Sequence, residues 1–263
     1  MFMVRLIKDG ISIQNGKVTM NTDNDSPEDI INILHSSIYK SDFGGNTYYF
    51  GYIFNPSTSR ADRTTVIKWL KGLSEDIIDD NSLRKFIRRP LLELNKEENL
   101  STFDAILYPR SNRSNLTHIM VNEIGKLCQH DTFKGSFELV KTLPTDVEFD
   151  WNLFDFNYTG EIGDNQYNQI YNYIENILIP KIHNLTYFSI ADNVKPKYRQ
   201  YIQNYLTITD NNAEKMLKSI QKGKLLIVDD INTSGSTLTE ILRIIHNINN
   251  NCEIYIFTLI GKE

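Results

Sequence analysis

Residues 224–237 read KLLIVDDINTSGST, and residues 237–246, TLTEILRIIH, follow with helical spacing. Leu225, Leu226, Ile227 and Val228 are too few for a helix and stop at two carboxylates and a Ser/Thr/Gly loop. They read as a buried strand that ends at a site. The loop, Asn232, Thr233, Ser234, Gly235, Ser236 and Thr237, offers successive backbone N–H groups and hydroxyls at the start of a helix whose apolar positions are Leu238, Ile241, Leu242 and Ile245. Such a start aims N–H groups and the positive end of the helix dipole at one spot, which suits a phosphate. Gly235 allows either a positive φ or the close approach of a ligand. Asp229 and Asp230 would repel a bare anion, but they fit a ligand that also presents hydroxyls and a Mg²⁺ ion. A sugar phosphate answers both halves. A Walker phosphate loop is excluded by the missing Gly-Lys-Ser/Thr, and no GxGxxG fingerprint is present here.

The stretch LLIVDDINTSGST resembles the phosphoribosyl-pyrophosphate (PRPP) motif of the type I phosphoribosyltransferases, in which apolar strand residues precede two acids and a Thr/Ser/Gly loop. The compact C-terminal half is most similar to the short competence-type (ComF-like) members. The resemblance covers roughly residues 103–260 and implies an α/β fold in three layers with a mainly parallel central sheet. It implies that Asp229 and Asp230 hold the ribose hydroxyls and, directly or through those hydroxyls and water, Mg²⁺. Asn232, Thr233, Ser234, Gly235, Ser236 and Thr237 would then wrap the 5′-phosphate. An earlier strand–loop–helix supplies the pyrophosphate loop in this family, which points to Arg110, Ser111, Asn112, Arg113 and Ser114; two arginines and two hydroxyls suit a pyrophosphate. A mobile basic loop closes over the pyrophosphate in the family, and by position Lys195, with Lys197 and Arg199 beside Pro196, stands for it, Lys195 as a catalytic cation. Thr233 occupies the place where some purine-specific relatives carry an acid, which speaks against a hypoxanthine-guanine type.

The chain has 263 residues, enough for a sizeable core, and a formal net charge of −5, which gives no broad attraction to nucleic acid or acidic membranes. Its two cysteines, Cys128 and Cys252, lack CxxC spacing and sit among apolar residues, as buried free thiols of a reducing compartment do. The five histidines show no metal-ligand spacing. The first residues, MFMVRLIKDG, are interrupted by Arg5 and Lys8, and no apolar run approaches a membrane span. A soluble, cytoplasmic protein is the expectation.

Along the chain, two short strands are expected in residues 1–20 around turns at Asp9-Gly10 and Asn15-Gly16. A helix should start at Ser26-Pro27 and bury Ile30, Ile33, Leu34 and Ile38. A strand at 48–54 follows the Gly44-Gly45 break. Next comes a helix opened by Pro56, Ser57, Thr58 and Ser59 and running to Leu70, with Arg60 and Arg63 near its start. A third helix, 74–86, ends among Arg84, Lys85, Arg88 and Arg89 before Pro90, where an anion or partner could be met. Strands are expected at 103–108, 137–143 and 252–260, and a helix at 166–179 that stops at Pro180. The acidic, aromatic insertion carries Trp151, Phe154, Phe156 and Tyr158, which read as base-stacking surfaces or, more commonly, as a satellite hydrophobic cluster.

The division expected is an N-terminal α/β appendage or hood, 1–100, and a phosphoribosyltransferase-like core, 101–263, with a helical insertion at 144–190. The function implied is transfer of phosphoribosyl from PRPP–Mg²⁺ to a nitrogen acceptor such as a nucleobase, releasing pyrophosphate: a glycosyltransferase of nucleotide metabolism. Two alternatives stand beside it. One is a non-catalytic regulator that binds PRPP or a nucleotide; the other is an effector of a mobile-element or defence system acting with a partner. Homodimerisation, or a protein partner docked through residues 1–100 or 144–190, is compatible with all three.

Overall fold

The computed structural model describes residues 10–14, 17–21, 31–32, 38–54, 58–75, 78–128, 133–158, 163–232 and 234–261. The chain divides into two compact units, one of residues 1–137, 220–233 and 251–263, the other of residues 138–219 and 234–250. No described helix is long and apolar enough to cross a membrane.

The first unit opens with the hairpin β1 (Gly10–Gln14) and β2 (Lys17–Asn21), paired antiparallel with Ile11 opposite Met20. Its turn, Asn15-Gly16, lies outside the described residues, as does Asp9. The helix expected from Ser26 also begins outside them, but Ile31–Asn32 is a strand, β3, with Ile31 opposite both Ile11 and Phe54. Two strand partners outweigh the local helix signals of Pro27 and Glu28 there. β4 (Tyr39–Phe43) and β5 (Asn46–Phe54) form a hairpin with a two-residue turn at Gly44-Gly45, where a break alone is expected from the sequence. Gly44 and Gly45 have φ of 59° and 79°, the pair of positive values that a turn matching the strand twist requires.

α1 (Arg60–Leu70) is capped by Ser59, whose hydroxyl accepts from the Asp62 amide at 3.1 Å; Pro56 and Ser57 lie outside the described residues. Arg63 donates to the Thr58 carbonyl and stands over the Phe54 ring, so its place near the helix start serves the fold. α2 (Asp80–Glu98) starts at an Asp79 cap and runs through Pro90. The expected stop before the proline is therefore wrong. Leu91 and Leu94 are buried beyond it, and their packing outweighs one lost backbone hydrogen bond. β6 (Ala105–Pro109) and α3 (Leu116–Gly125) follow as expected, and Glu123 of α3 ion-pairs with Arg84, Arg88 and Lys126. Arg84 and Arg88 thus sit in mid-helix and join α2 to α3.

β7 (Gly135–Lys141) runs from the first unit into the second. In the second unit, β8 (Glu148–Phe149) precedes α4 (Trp151–Tyr158) and α5 (Asp164–Tyr173). The helix does not stop at Pro180. A π-helical turn, Ile174–Leu178, widens the backbone ahead of the proline, and α6 (Ile179–His183) carries on. Trp151, Phe154 and Tyr158 pack with Phe149, Tyr167 and Tyr201 as a satellite cluster, while Phe156 is exposed. α7 (Ile190–Asn193), β9 (Ile202–Gln203), β10 (Leu206–Ile208) and α8 (Asn211–Ser219) complete the run; β9 pairs with β8, and β10 with β7.

β11 (Lys224–Ile231) contains the apolar run Leu225–Val228 and both acids, and α9 (Ser236–Ile248) and β12 (Glu253–Gly261) follow it. In the first unit β6, β11, β12 and β5 are consecutive parallel neighbours. β4, β3, β1 and β2 extend this sheet through antiparallel pairs. The architecture is α/β, but the sheet is mixed rather than mainly parallel, because two hairpins add strands beside β5. β5 comes from the first hundred residues and lies in register with β12, Phe257 opposite Tyr49, so the compact units do not divide at residue 100. One core layer joins Leu226, Val228, Phe257 and Tyr49 of the sheet to Leu70, Ile87, Leu91 and Met120 of α1, α2 and α3.

Candidate functional site

The five consecutive apolar residues Ala105, Ile106, Leu107, Tyr108 and Pro109 of β6 and the run Leu225–Val228 of β11 are buried, as strands covered by helices must be. β11 then carries two acids into the same environment: Asp229 is 8% exposed and Asp230 5%. Successive strand residues point to opposite faces. Asp230 shares the face of Leu226 and Val228, which belongs to the α1–α3 core layer, and Asp229 the face of Leu225 and Ile227.

Each acid has its own surroundings. The Lys71 ammonium lies 2.8 Å from Asp230 Oδ2, with its side chain one quarter exposed. Burial alone would lower the lysine's pKa, but the charge and hydrogen bond of Asp230 and the charge of Asp229 outweigh it and hold the ammonium above its usual value. Asp229 Oδ1 accepts from the Asp230 backbone N–H at 2.8 Å. Burial, and then the neighbouring Asp230 charge, push the Asp229 carboxyl upward, against a partial pull from Lys71. Tyr48 of β5 shares a 2.8 Å hydrogen bond with Thr258 of β12, the residue in register with Asp229, and accepts from the Asn232 amide at 3.2 Å. Burial raises the Tyr48 phenol, Thr258 and Asn232 pull it back, and Asp229 adds to the rise.

Arg110, Ser111, Asn112, Arg113 and Ser114 form the loop after β6. Because β6 and β11 are parallel, with Leu107 opposite Ile227, this loop and the two carboxylates leave the same edge of the sheet. Both arginines are exposed. Ser111 Oγ accepts from the Arg113 amide at 3.4 Å, and Ser114 Oγ from the Leu116 amide at 3.2 Å, which ties the loop to the start of α3.

The continuation of the β11 loop belongs to the second unit from Ser234 onward, and Thr233 lies outside the described residues. Gly235 takes the positive φ of the two options open to it, 74°, and is the N-cap of α9. Ser234 and Ser236 share a hydroxyl hydrogen bond of 2.9 Å; Ser236 is buried, and its carbonyl accepts from Tyr205 Oη at 2.7 Å. Thr237 is half-buried at the first turn of the helix.

The basic segment has a different form from the mobile loop expected of it. Lys195 caps a 3₁₀ helix, Pro196–Tyr201, whose Tyr198 and Tyr201 are buried. Arg199 donates to the carbonyls of Val194 and Ala191 at 2.9 and 2.7 Å. Lys195 stands 4.8 Å from the Tyr173 ring centre and Lys197 4.7 Å from that of Tyr198. Two buried tyrosines and a backbone-bound guanidinium make this segment part of the second unit's fabric. Cys128 is buried, and burial pushes its thiol up to about 12; Cys252 is also free. His183 bonds the Val147 carbonyl, a structural use. No group of three or more metal-ligating side chains stands together among the described residues.

Sequence reasoning missed Lys71, Tyr48 and Thr258. A signal for Lys71 was present: Lys71-Gly72 closes the amphipathic run of α1. In the structure the Gly72 amide bonds the Trp69 carbonyl and the Leu73 amide bonds that of Lys68, the Schellman cap that a glycine at this place favours. Tyr48 and Thr258 gave no such signal, since their meeting depends on β5 lying beside β12. No protein-family model matches the chain, and no curated protein matches it.

Proposed function

We propose that the protein binds PRPP with Mg²⁺ and transfers its phosphoribosyl group to a nitrogen acceptor, a nucleobase or related compound, with release of pyrophosphate, on a type I phosphoribosyltransferase fold. The observation that carries this reading is the end of β11: two buried carboxylates close a buried strand, and the chain then passes to a positive-φ glycine at a helix start. The parallel neighbour β6, whose loop brings Arg110 and Arg113 to the same sheet edge, supports it.

Asp229 and Asp230 would accept hydrogen bonds from the ribose hydroxyls and favour positive charge at C1. Arg110 and Arg113 would neutralise the pyrophosphate, which leaves with the electron pair of the C1–O bond as the acceptor nitrogen bonds to C1 and gives up its proton. The N–H groups after Asn232 would take the 5′-phosphate. The donor set fits Mg²⁺, since both acids are hard oxygen ligands and Asp230 already holds a cation; the ion commonly uses one or two carboxylates and completes its shell with water and phosphate. When bound, it supplies charge neutralisation to the pyrophosphate.

Titration calorimetry of PRPP with Mg²⁺ on wild type and on Asp229→Asn/Asp230→Asn, followed by pyrophosphate release against a panel of bases, tests this. Binding that requires the acids, with base-dependent release, is the expected result; no binding to folded wild type refutes it. A second reading, a PRPP or nucleotide sensor or a partner-dependent effector, is favoured by one observation: Arg199 is already bound to backbone carbonyls, and its segment is anchored rather than lid-like. Acid-dependent binding without release under any base would select it.

A further inference from the structure

We infer that Lys71 is an exchangeable internal cation, holding at Asp230 the position that a divalent cation takes when ligand arrives. The inference deepens the proposed function and rests on that reading for the identity of the cation.

The geometry has three parts. Asp230 is buried, and a lone buried carboxylate is costly unless a positive charge meets it. Lys71 meets it at 2.8 Å. The lysine's backbone is fixed: Trp69 and Leu70 are buried just before it, and the Gly72 cap, with φ of 66°, ends α1 directly after it. The ammonium is therefore delivered to the carboxylate by a packed element. The C-terminal end of α1 also adds the negative pole of a helix, which favours a cation of any kind.

Release is open to the same group. The lysine side chain is one quarter exposed, whereas the Asp230 side chain is 7% exposed, so the cation stands on the solvent side of the pair. A lysine head on a four-carbon stem swings out without moving α1, and a strongly hydrated ammonium is readily taken up by water. Lys71 brings one positive charge to this strand end, and a divalent ion brings two. Lys71 thus balances Asp230 in the ligand-free protein and yields it when the metal and sugar phosphate enter.

The test is thermal unfolding of the full chain with and without excess magnesium chloride, at ionic strength matched with sodium chloride, for wild type, Lys71→Met, Lys71→Arg and Lys71→Met/Asp230→Asn. Without magnesium, Lys71→Met should lose about 5 °C or more in Tm, because it strands a buried charge. Magnesium should restore most of that loss while moving wild type little. Lys71→Arg should keep the wild-type Tm within a few degrees, and the double variant should recover stability with no response to magnesium. Lys71→Met that is insensitive to magnesium, or a double variant as unstable as the single one, overturns the inference and leaves a purely structural ion pair. If Lys71→Met does not fold without metal, refolding yield with and without magnesium gives the same reading. Calorimetry of PRPP in the same buffers separates the two levels. Magnesium rescue without PRPP binding keeps the exchangeable lysine and removes the transferase site, while PRPP binding without rescue does the reverse.

Discussion

Pro90 lies inside α2 directly against Gly51 of β5, where an added Cβ would stand 2.7 Å from the Cβ of the proline and 2.8 Å from its Cγ. The proline that should have ended a helix is instead received by the one residue type that leaves room for its ring. Gly51→Ala should therefore destabilise by about 1–3 kcal/mol through overpacking. The Leu259 carbonyl, 3.1 Å from the same point, blocks the easy relaxation. Urea unfolding of the variant should show a lower midpoint with an unchanged slope. An unchanged midpoint would mean that α2 shifts freely over the sheet.

Tyr48 and Thr258 make the second test. Thr258 is fully buried, and its hydroxyl meets the Tyr48 phenol at 2.8 Å. Tyr48→Phe takes from that buried hydroxyl its phenol partner and from the Asn232 amide one bond, and should lower stability by roughly 1–3 kcal/mol. Thr258→Val alone should cost a similar amount. The double variant should cost less than the sum, because both polar groups leave together. Strict additivity in denaturant midpoints would dissociate the two residues.

Glu123 provides an acid-side test. Its carboxyl is held below the usual glutamate range, first by the hydrogen bond from Lys126 and then, against burial, by the charges of Lys126 and Arg88 and the bond from Arg84. A depressed folded-state value means that the unfolded chain takes up this proton first as pH falls. The stabilisation is present above the ordinary glutamate value and is lost as pH drops through the folded one. Glu123→Gln should flatten the acid limb of the stability curve and weaken the protein at neutral pH. Its partners are largely exposed, so the neutral-pH loss should be modest, about 1 kcal/mol. A variant with the wild-type acid limb would assign that limb to other carboxylates.

The parts of this molecule that could be read in advance are those in which neighbours in sequence decide the structure. β11 is a run of branched apolar residues cut off by two acids, and Gly235 adopts the left-handed turn at the start of α9 that its place in the loop allowed. β6 and its arginine loop follow the same logic. What was missed comes from partners distant in sequence. Ile31 is a strand because Ile11 and Phe54 offer it two edges, and α2 outlasts Pro90 because Gly51 makes space. The helix around Pro180 persists by widening one turn, an adjustment with no local sequence mark. At the candidate site the acids were legible and their counter-ion was not, since Lys71 reaches Asp230 only after α1 has packed on the sheet. Lys197 and Arg199 looked like a free basic lid because charge runs usually face water. Tyr198 and Tyr201, alternating with them, turned the segment inward.

Asp229 yields the prediction that joins stability to the proposed binding. Burial first, and the Asp230 charge second, raise its carboxyl from the ordinary 3.8 to about 7. The folded protein thus binds this proton more tightly than the unfolded chain, so the stability it contributes is fully present below the ordinary carboxylate value. That stability declines as pH rises toward the folded value, a window opposite in sign to that of Glu123. Asp229→Asn removes the decline, and the ligand-free variant should be more stable than wild type at neutral pH, by a margin that shrinks through mild acid and vanishes only below the ordinary carboxylate value. The proposed site requires the ionised form, because only a carboxylate accepts from both ribose hydroxyls and holds Mg²⁺. PRPP–Mg²⁺ affinity of wild type should accordingly rise with pH through the same window, and Asp229→Asn should bind poorly throughout. Chemical denaturation and calorimetry across that pH range, on both proteins, give the two curves. Affinity that is flat in pH while stability falls would place the ligand away from Asp229 and leave the buried acid as a structural liability of the strand end.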